Sequence, residues 1–171
     1  MIILRFVYSK GLLERLIEFD TDDDPEEGFD HVEAYMMAGT YLGAHVPVVA
    51  ERPSNWDAGK FKRQRFYLLP ADEIMTLEFE HYLRSCIGER YGILAIFSFI
   101  THINLNQKHT TICSGLISGA LRGCKFFPRP LMVPFHRISV RDLHLIMMAR
   151  PDVREITSLD QEFIDHTKGP T

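Results

Sequence analysis

Cysteine is scarce in this chain, and its placement argues against two classes of protein. Cys86, Cys113 and Cys124 cannot all pair with one another, and no two of them stand in a CxxC spacing. That argues against a disulfide framework and a cysteine-based zinc site, and for a reducing compartment. A strong charge of either sign is also lacking. The formal net charge is -4 over 171 residues, which gives no reason to expect nucleic acid as a partner. Long hydrophobic runs are absent too: the longest, from Gly92 to Ile100, is about half of what crosses a bilayer, so no integral membrane segment is expected. The opening stretch Met1–Tyr8 is apolar, but it has no basic lead-in and no small-residue cleavage site. It reads as a first strand, not a signal peptide, and the expected location is the cytoplasm. The eight histidines show no HExxH-type spacing, so neither a metal nor another cofactor is expected.

What remains is an ordinary globular composition, 46% hydrophobic and 25% charged, on a length that suits one domain over 1–171 with a loose tail from 157. The pattern predicts a strand at 2–8, then a short helix capped by Ser9 with Leu12, Leu13, Leu16 and Ile17 on one face. The acidic stretch Asp20–Gly28 reads as a solvated loop without the glycine and glutamate placement of an EF-hand. Residues 31–37 and 40–50 read as a β-hairpin turning at Ala38-Gly39, and 61–69 as a further strand in which the basic cluster from Lys60 to Arg65 is the solvated part. A helix is predicted over 71–90 with Ile74, Leu77, Phe79, Tyr82 and Leu83 as its apolar face, and a buried helix over 92–100. Residues 113–123 form another helix candidate, and Pro128, Pro130 and Pro134 mark an irregular crossing. Ser139 then caps a helix running through Met148. Strands early and helices late indicate an α+β fold, an antiparallel sheet packed on helices.

The segment that carries chemistry is Thr110 to Leu121. Leu116, Ile117, Ala120 and Leu121 share one helix face, which puts Cys113 in the first turn. Unpaired amides and the helix dipole there favour a thiolate, and the same amides can receive an oxyanion in acyl transfer. A cysteine ahead of an apolar helix is also an ordinary packing residue. Cys86 and Cys124 lack this setting; Cys124 follows Gly123 at a helix end, where the dipole raises a thiol pKa. Gly115 and Gly119, four residues apart, leave a groove for close approach of another backbone. A cysteine nucleophile needs a base. His31 opens the strand His31-Val32-Glu33-Ala34-Tyr35, which sets His31, Glu33 and Tyr35 on one face of the sheet. A solvated edge strand would alternate in the same way. His109, four residues before Cys113, is the rival base, while His136 and His144 read as surface or satisfied core positions.

Two segments, Phe29-Asp30-His31-Val32-Glu33 and Ile112-Cys113-Ser114-Gly115-Leu116, resemble motifs of a known family. They are similar to the circularly permuted branch of the NlpC-type papain-like cysteine hydrolases, whose relatives include the lecithin:retinol acyltransferase-like proteins. The resemblance extends to Tyr41-Leu42-Gly43-Ala44, Arg52-Pro53, Trp56, Leu68-Leu69-Pro70 and Gly88 with Tyr91, over roughly residues 1–125, and is strongest to small phage or prophage members. It implies a permuted papain-like fold with Cys113 as nucleophile and His31 as general base. Many relatives orient the histidine from a polar residue about a dozen positions later, on the next strand. Here that position is Gly43, which has nothing to orient with, and Glu33 or His45 would substitute. Glu33 is preferred, because a carboxylate holds the imidazole and stabilises its charged form. Relatives also often carry an Asp after the tyrosine matching Tyr91, where this chain has Gly92.

The expectation is a cysteine hydrolase or acyltransferase acting on an amide or ester through a Cys113 thioester, with a peptide or lipid-like acyl group as substrate. The alternative is a non-catalytic binding or structural protein, such as a phage accessory factor, that keeps the fold. A calcium or zinc protein using the acidic loop and scattered histidines ranks last.

Overall fold

The computed structural model describes residues 1–8, 28–56, 59–93, 110–127, 133–134, 137–156 and 159. The expected helix after Ser9, the acidic loop up to position 27, most of the apolar run after Ile93, Pro128, Pro130, His109, His136 and the tail from 160 lie outside them.

Eight strands and three helices are assigned among the described residues. In chain order they are β1 (Ile2–Tyr8), β2 (His31–Met36), β3 (Thr40–Ala44), β4 (Val49–Pro53), β5 (Arg63–Leu69), α1 (Glu73–Ser85), β6 (Arg90–Tyr91), β7 (Thr110–Thr111), α2 (Cys113–Gly123), α3 (Val140–Ala149) and β8 (Arg154–Ile156). Six strands form one sheet in the order β4-β3-β2-β1-β5-β8, antiparallel throughout, while β6 and β7 pair in parallel beside it. The architecture is α+β, as the distribution of strands and helices suggests. No described helix is long and apolar enough to cross a membrane.

The alternation along β1 and β2 sorts the sheet into two faces. Leu4, Phe6, Val32, Ala34, Met36 and Leu42 join Phe79 and Leu83 of α1, Leu116, Ile117 and Leu121 of α2, and Leu143 and Met147 of α3 in one core. Full burial of such side chains contributes about 1.5–3 kcal/mol each, so this face is what fixes the helices on the sheet. The other face carries a small cluster of Ile3, Tyr41 and Phe66. By the same alternation it carries Arg5, His31 and Glu33.

Local chemistry explains the boundaries. Asp72 accepts from the Met75 amide at 2.7 Å and starts α1 two residues later than the apolar pattern suggested. Ser139 and Asp142 form a capping box on α3, in keeping with the cap expected at Ser139. Gly39, at φ 77°, turns the β2–β3 hairpin.

Four expectations need correction. The strand expected over 40–50 breaks after Ala44 and resumes as β4 at Val49, because Pro47 has no N–H to give a ladder. The helix expected to reach Arg90 ends at Ser85, and Gly88 at φ 88° redirects the chain. On α1 the buried line is Thr76, Phe79 and Leu83, whereas Ile74 and Leu77 are exposed. The groove at Gly119 receives a side chain, not a backbone: a Cβ there would lie 2.5 Å from Tyr82 Oη.

Candidate active site

The ladder between β2 and β3 stops at Ala34↔Leu42, while β1 and β2 stay paired as far as Val7↔His31. The first residues of β2 are thus laddered to β1 alone, and Cys113 at the start of α2 reaches them. Ile112 is the N-cap of α2 and makes no side-chain capping bond, so the first-turn amides have no side chain competing for them. Cys113, the first residue of the helix, lies in hydrogen-bonding contact with the His31 imidazole and with the backbone amides of Val32 and Ser114. Burial alone would push this thiol up; His31 and the two amides outweigh it and hold the pKa below the ordinary value. The same contact works in reverse on His31. Burial disfavours its charged form, but the Cys113 sulfur and the Glu33 carboxylate raise its pKa to about 10. In Cys86 and Cys124 the opposite holds: burial leads and both thiols are pushed up. Cys124 donates its S–H to the Leu121 carbonyl at 3.4 Å, a helix-end setting unsuited to a thiolate.

Glu33 is the hub. It is 1% exposed, and β2 is an interior strand, so the solvated-edge explanation of its alternation does not apply. Arg5, its register partner on β1, donates from Nε to Glu33 Oε1 at 2.5 Å and pairs with it through Nη2 as well. The guanidinium itself is buried and stacks on the Tyr41 ring at 3.6 Å. Glu33 Oε2 faces two imidazoles, His45 Nε2 at 3.3 Å and His31 Nε2 at 3.8 Å. Burial opposes the carboxylate's charge, but the two histidines and Arg5 prevail, and its pKa falls well below the usual range. His45 moves the other way. Burial lowers its pKa, aided by the charges of His31 and Arg52, against the pull of Glu33.

Cys113, His31, Glu33 and His45 are therefore brought together from three segments of the chain: β2, the turn after β3 and the start of α2. Glu33 and His45 are not alternatives, since both meet at one oxygen. Gly43 lies opposite Glu33, where a Cβ would come within 2.9 Å of Glu33 Cβ and 3.2 Å of His45 Nε2. The position that has no side chain of its own is the one that makes room for Glu33 and His45. Sequence reasoning missed Arg5. Its signal was a charge in the middle of Ile2-Ile3-Leu4-Arg5-Phe6-Val7, a run otherwise written as a fully buried strand. His144 is a satisfied core residue, bonded to the Tyr67 hydroxyl at 2.8 Å. A metal, were one to bind, would find three donors together in His31, Glu33 and His45.

No known family model matches this chain, and no curated protein is detectably similar to it.

Proposed function

We propose that this chain is a cysteine hydrolase or acyltransferase of the circularly permuted NlpC-type papain-like kind. One observation carries the reading. Of three cysteines, only Cys113 sits at an uncapped helix start with an imidazole and two backbone amides around its sulfur. The motif order and the sheet-on-helix architecture support the fold assignment.

In this reading His31 takes the thiol proton and the Cys113 sulfur attacks an amide or ester carbonyl. The oxyanion develops beside the first-turn amides of α2. His31 then returns its proton to the leaving amine or alcohol, which departs as the tetrahedral intermediate collapses to the thioester. Water or another acceptor, deprotonated by His31, releases the acyl group and restores the thiol. With Nε2 turned toward Glu33, Nδ1 is the nitrogen left to serve the sulfur. Glu33 holds the ring and balances its charge. The substrate class is a peptide, as in cell-wall fragments, or a lipid-like acyl group.

A second reading, a non-catalytic binding protein, draws on the burial of Cys113, which is 3% exposed. Iodoacetamide labelling followed by peptide mass mapping separates the two. An enzyme gives selective alkylation of Cys113 at neutral pH that is lost in His31→Ala. Equal, slow labelling of all three cysteines sinks the catalytic reading.

A further inference from the structure

The mechanism above uses one nitrogen of His31 and treats Glu33 only as its support. The remaining donors converge from β2 and the turn after β3. His31, Glu33 and His45 each offer one donor atom, and the three donors lie within 4.8 Å of one another; the Nε2 atoms of His31 and His45 stand 3.8 and 3.3 Å from Glu33 Oε2. Both nitrogens are shut off from solvent, and neither makes a hydrogen bond. That is unexpected for His45, whose Nε2 is 3.3 Å from Oε2. At that distance an aligned N–H would make a bond, so the ring is turned to aim beside the oxygen and not at it. Ligands of one ion do this, because each lone pair points at the ion and not at its fellow donors. Metal bonds of about 2.1 Å at a tetrahedral angle set donors about 3.4 Å apart, close to the 3.3 and 3.8 Å found here.

We propose that His31, Glu33 and His45 form a binding site for a transition divalent cation, with Zn2+ as the best fit. Two imidazoles and one carboxylate suit Zn2+ and its neighbours, whereas Ca2+ and Mg2+ prefer oxygen shells. Three protein donors leave a fourth position open. Arg5 holds Oε1, so the carboxylate offers only Oε2 to the site. Its positive charge also weakens the site, which makes the cation exchangeable. Gly43 contributes by having no side chain, since a Cβ there would stand 3.2 Å from His45 Nε2 and 3.5 Å from His31 Nε2. The site stands without any thiol chemistry, because Cys113 is not one of its donors. Its consequence rests on the catalytic reading: a cation on Nε2 obliges the other ring nitrogen to keep its proton, so His31 can no longer take one from the thiol. The metal-bound form is the inactive form.

The test is calorimetric titration of Zn2+ into the Cys113→Ser chain, which removes the nucleophile and leaves the three donors. One Zn2+ per chain is expected, with no response to Mg2+ and with affinity falling by about a hundredfold or more when His45→Gln is added, since loss of an outer-shell partner alone costs about 10–100-fold. Absence of binding, or binding that His45→Gln leaves unchanged, overturns the site. If His45→Gln does not fold, Co2+ added to the unmodified chain decides: tetrahedral visible bands without a thiolate charge-transfer band support the site, and a thiolate band or no bands refute it. Failure of the catalytic reading shows separately, as unselective alkylation of the metal-free chain.

Discussion

Gly43→Ala tests whether the missing side chain on β3 is a requirement or an accident. The added methyl carbon would lie 2.9 Å from Glu33 Cβ. That atom is tied to the β2 backbone and has no rotamer to retreat into, so the strands themselves must part. Overpacking of this kind costs about 1–3 kcal/mol. Replacing a strand glycine returns roughly 0.5–1 kcal/mol through the unfolded chain. The net loss is therefore at most about 2.5 kcal/mol, or a fall in Tm of up to roughly 10 °C for a chain of this length. The ladder already ends next door at Ala34↔Leu42, so the opening falls on the site and not on the sheet. Urea denaturation measures the stability, and the alkylation rate of Cys113 reports the site, expected to fall in step. Gly28→Ala is the control: nothing lies within 4 Å of its added carbon, and its effect should stay within about 0.5 kcal/mol. If Gly43→Ala matched the parent in both stability and alkylation, the tight-packing argument would be refuted.

Arg5→Met leaves the Glu33 carboxylate buried without its cation, and a loss of about 3–5 kcal/mol in urea melts is expected, partly recovered by adding Glu33→Gln; a loss below about 1 kcal/mol would show that the pair does not hold the strands. His144 gives a pH dependence: burial, with Arg65 and Arg63 nearby, lowers its pKa from 6.5 to about 4. Between those values the unfolded chain binds more protons than the folded one, so this contribution is complete above about pH 6.5 and lost as pH falls toward 4, about 3 kcal/mol in all. His144→Gln should flatten that part of the stability–pH curve, and an unchanged slope would contradict the assignment.

Period and capping made much of the fold legible. β1 is an apolar run broken only by Arg5, β2 alternates, and Ser139 caps α3, so each signal was local. Cys113 and His31 were legible for the same reason, one at a helix start and the other opening a strand. The failures were tertiary. Ile74 and Leu77 look like core residues, but the face that meets the sheet is set by Thr76, Phe79 and Leu83. β8 is three residues long with Arg154 and Glu155 in it, too short and polar for a periodic signal, and pairing with β5 alone makes it a strand. The pairing of Arg5 with Glu33 depends on the register of β1 against β2, which no spacing within either segment reveals.

Glu33 faces a conflict that decides how the site behaves. Oε1 is committed to Arg5, so a single oxygen is left for two imidazoles, and His45 is the nearer by half an ångström. To orient His31 as a catalytic carboxylate does, Oε2 must come within about 3.2 Å of Nε2, a tightening that such sites undergo when substrate arrives. It cannot do so while a cation sits between all three, and His45, the nearer imidazole, competes for the same oxygen. Orienting the base and holding a cation are thus rival uses of one oxygen atom, and His45, the residue on which the two readings differ, is the lever that shifts the site from one to the other.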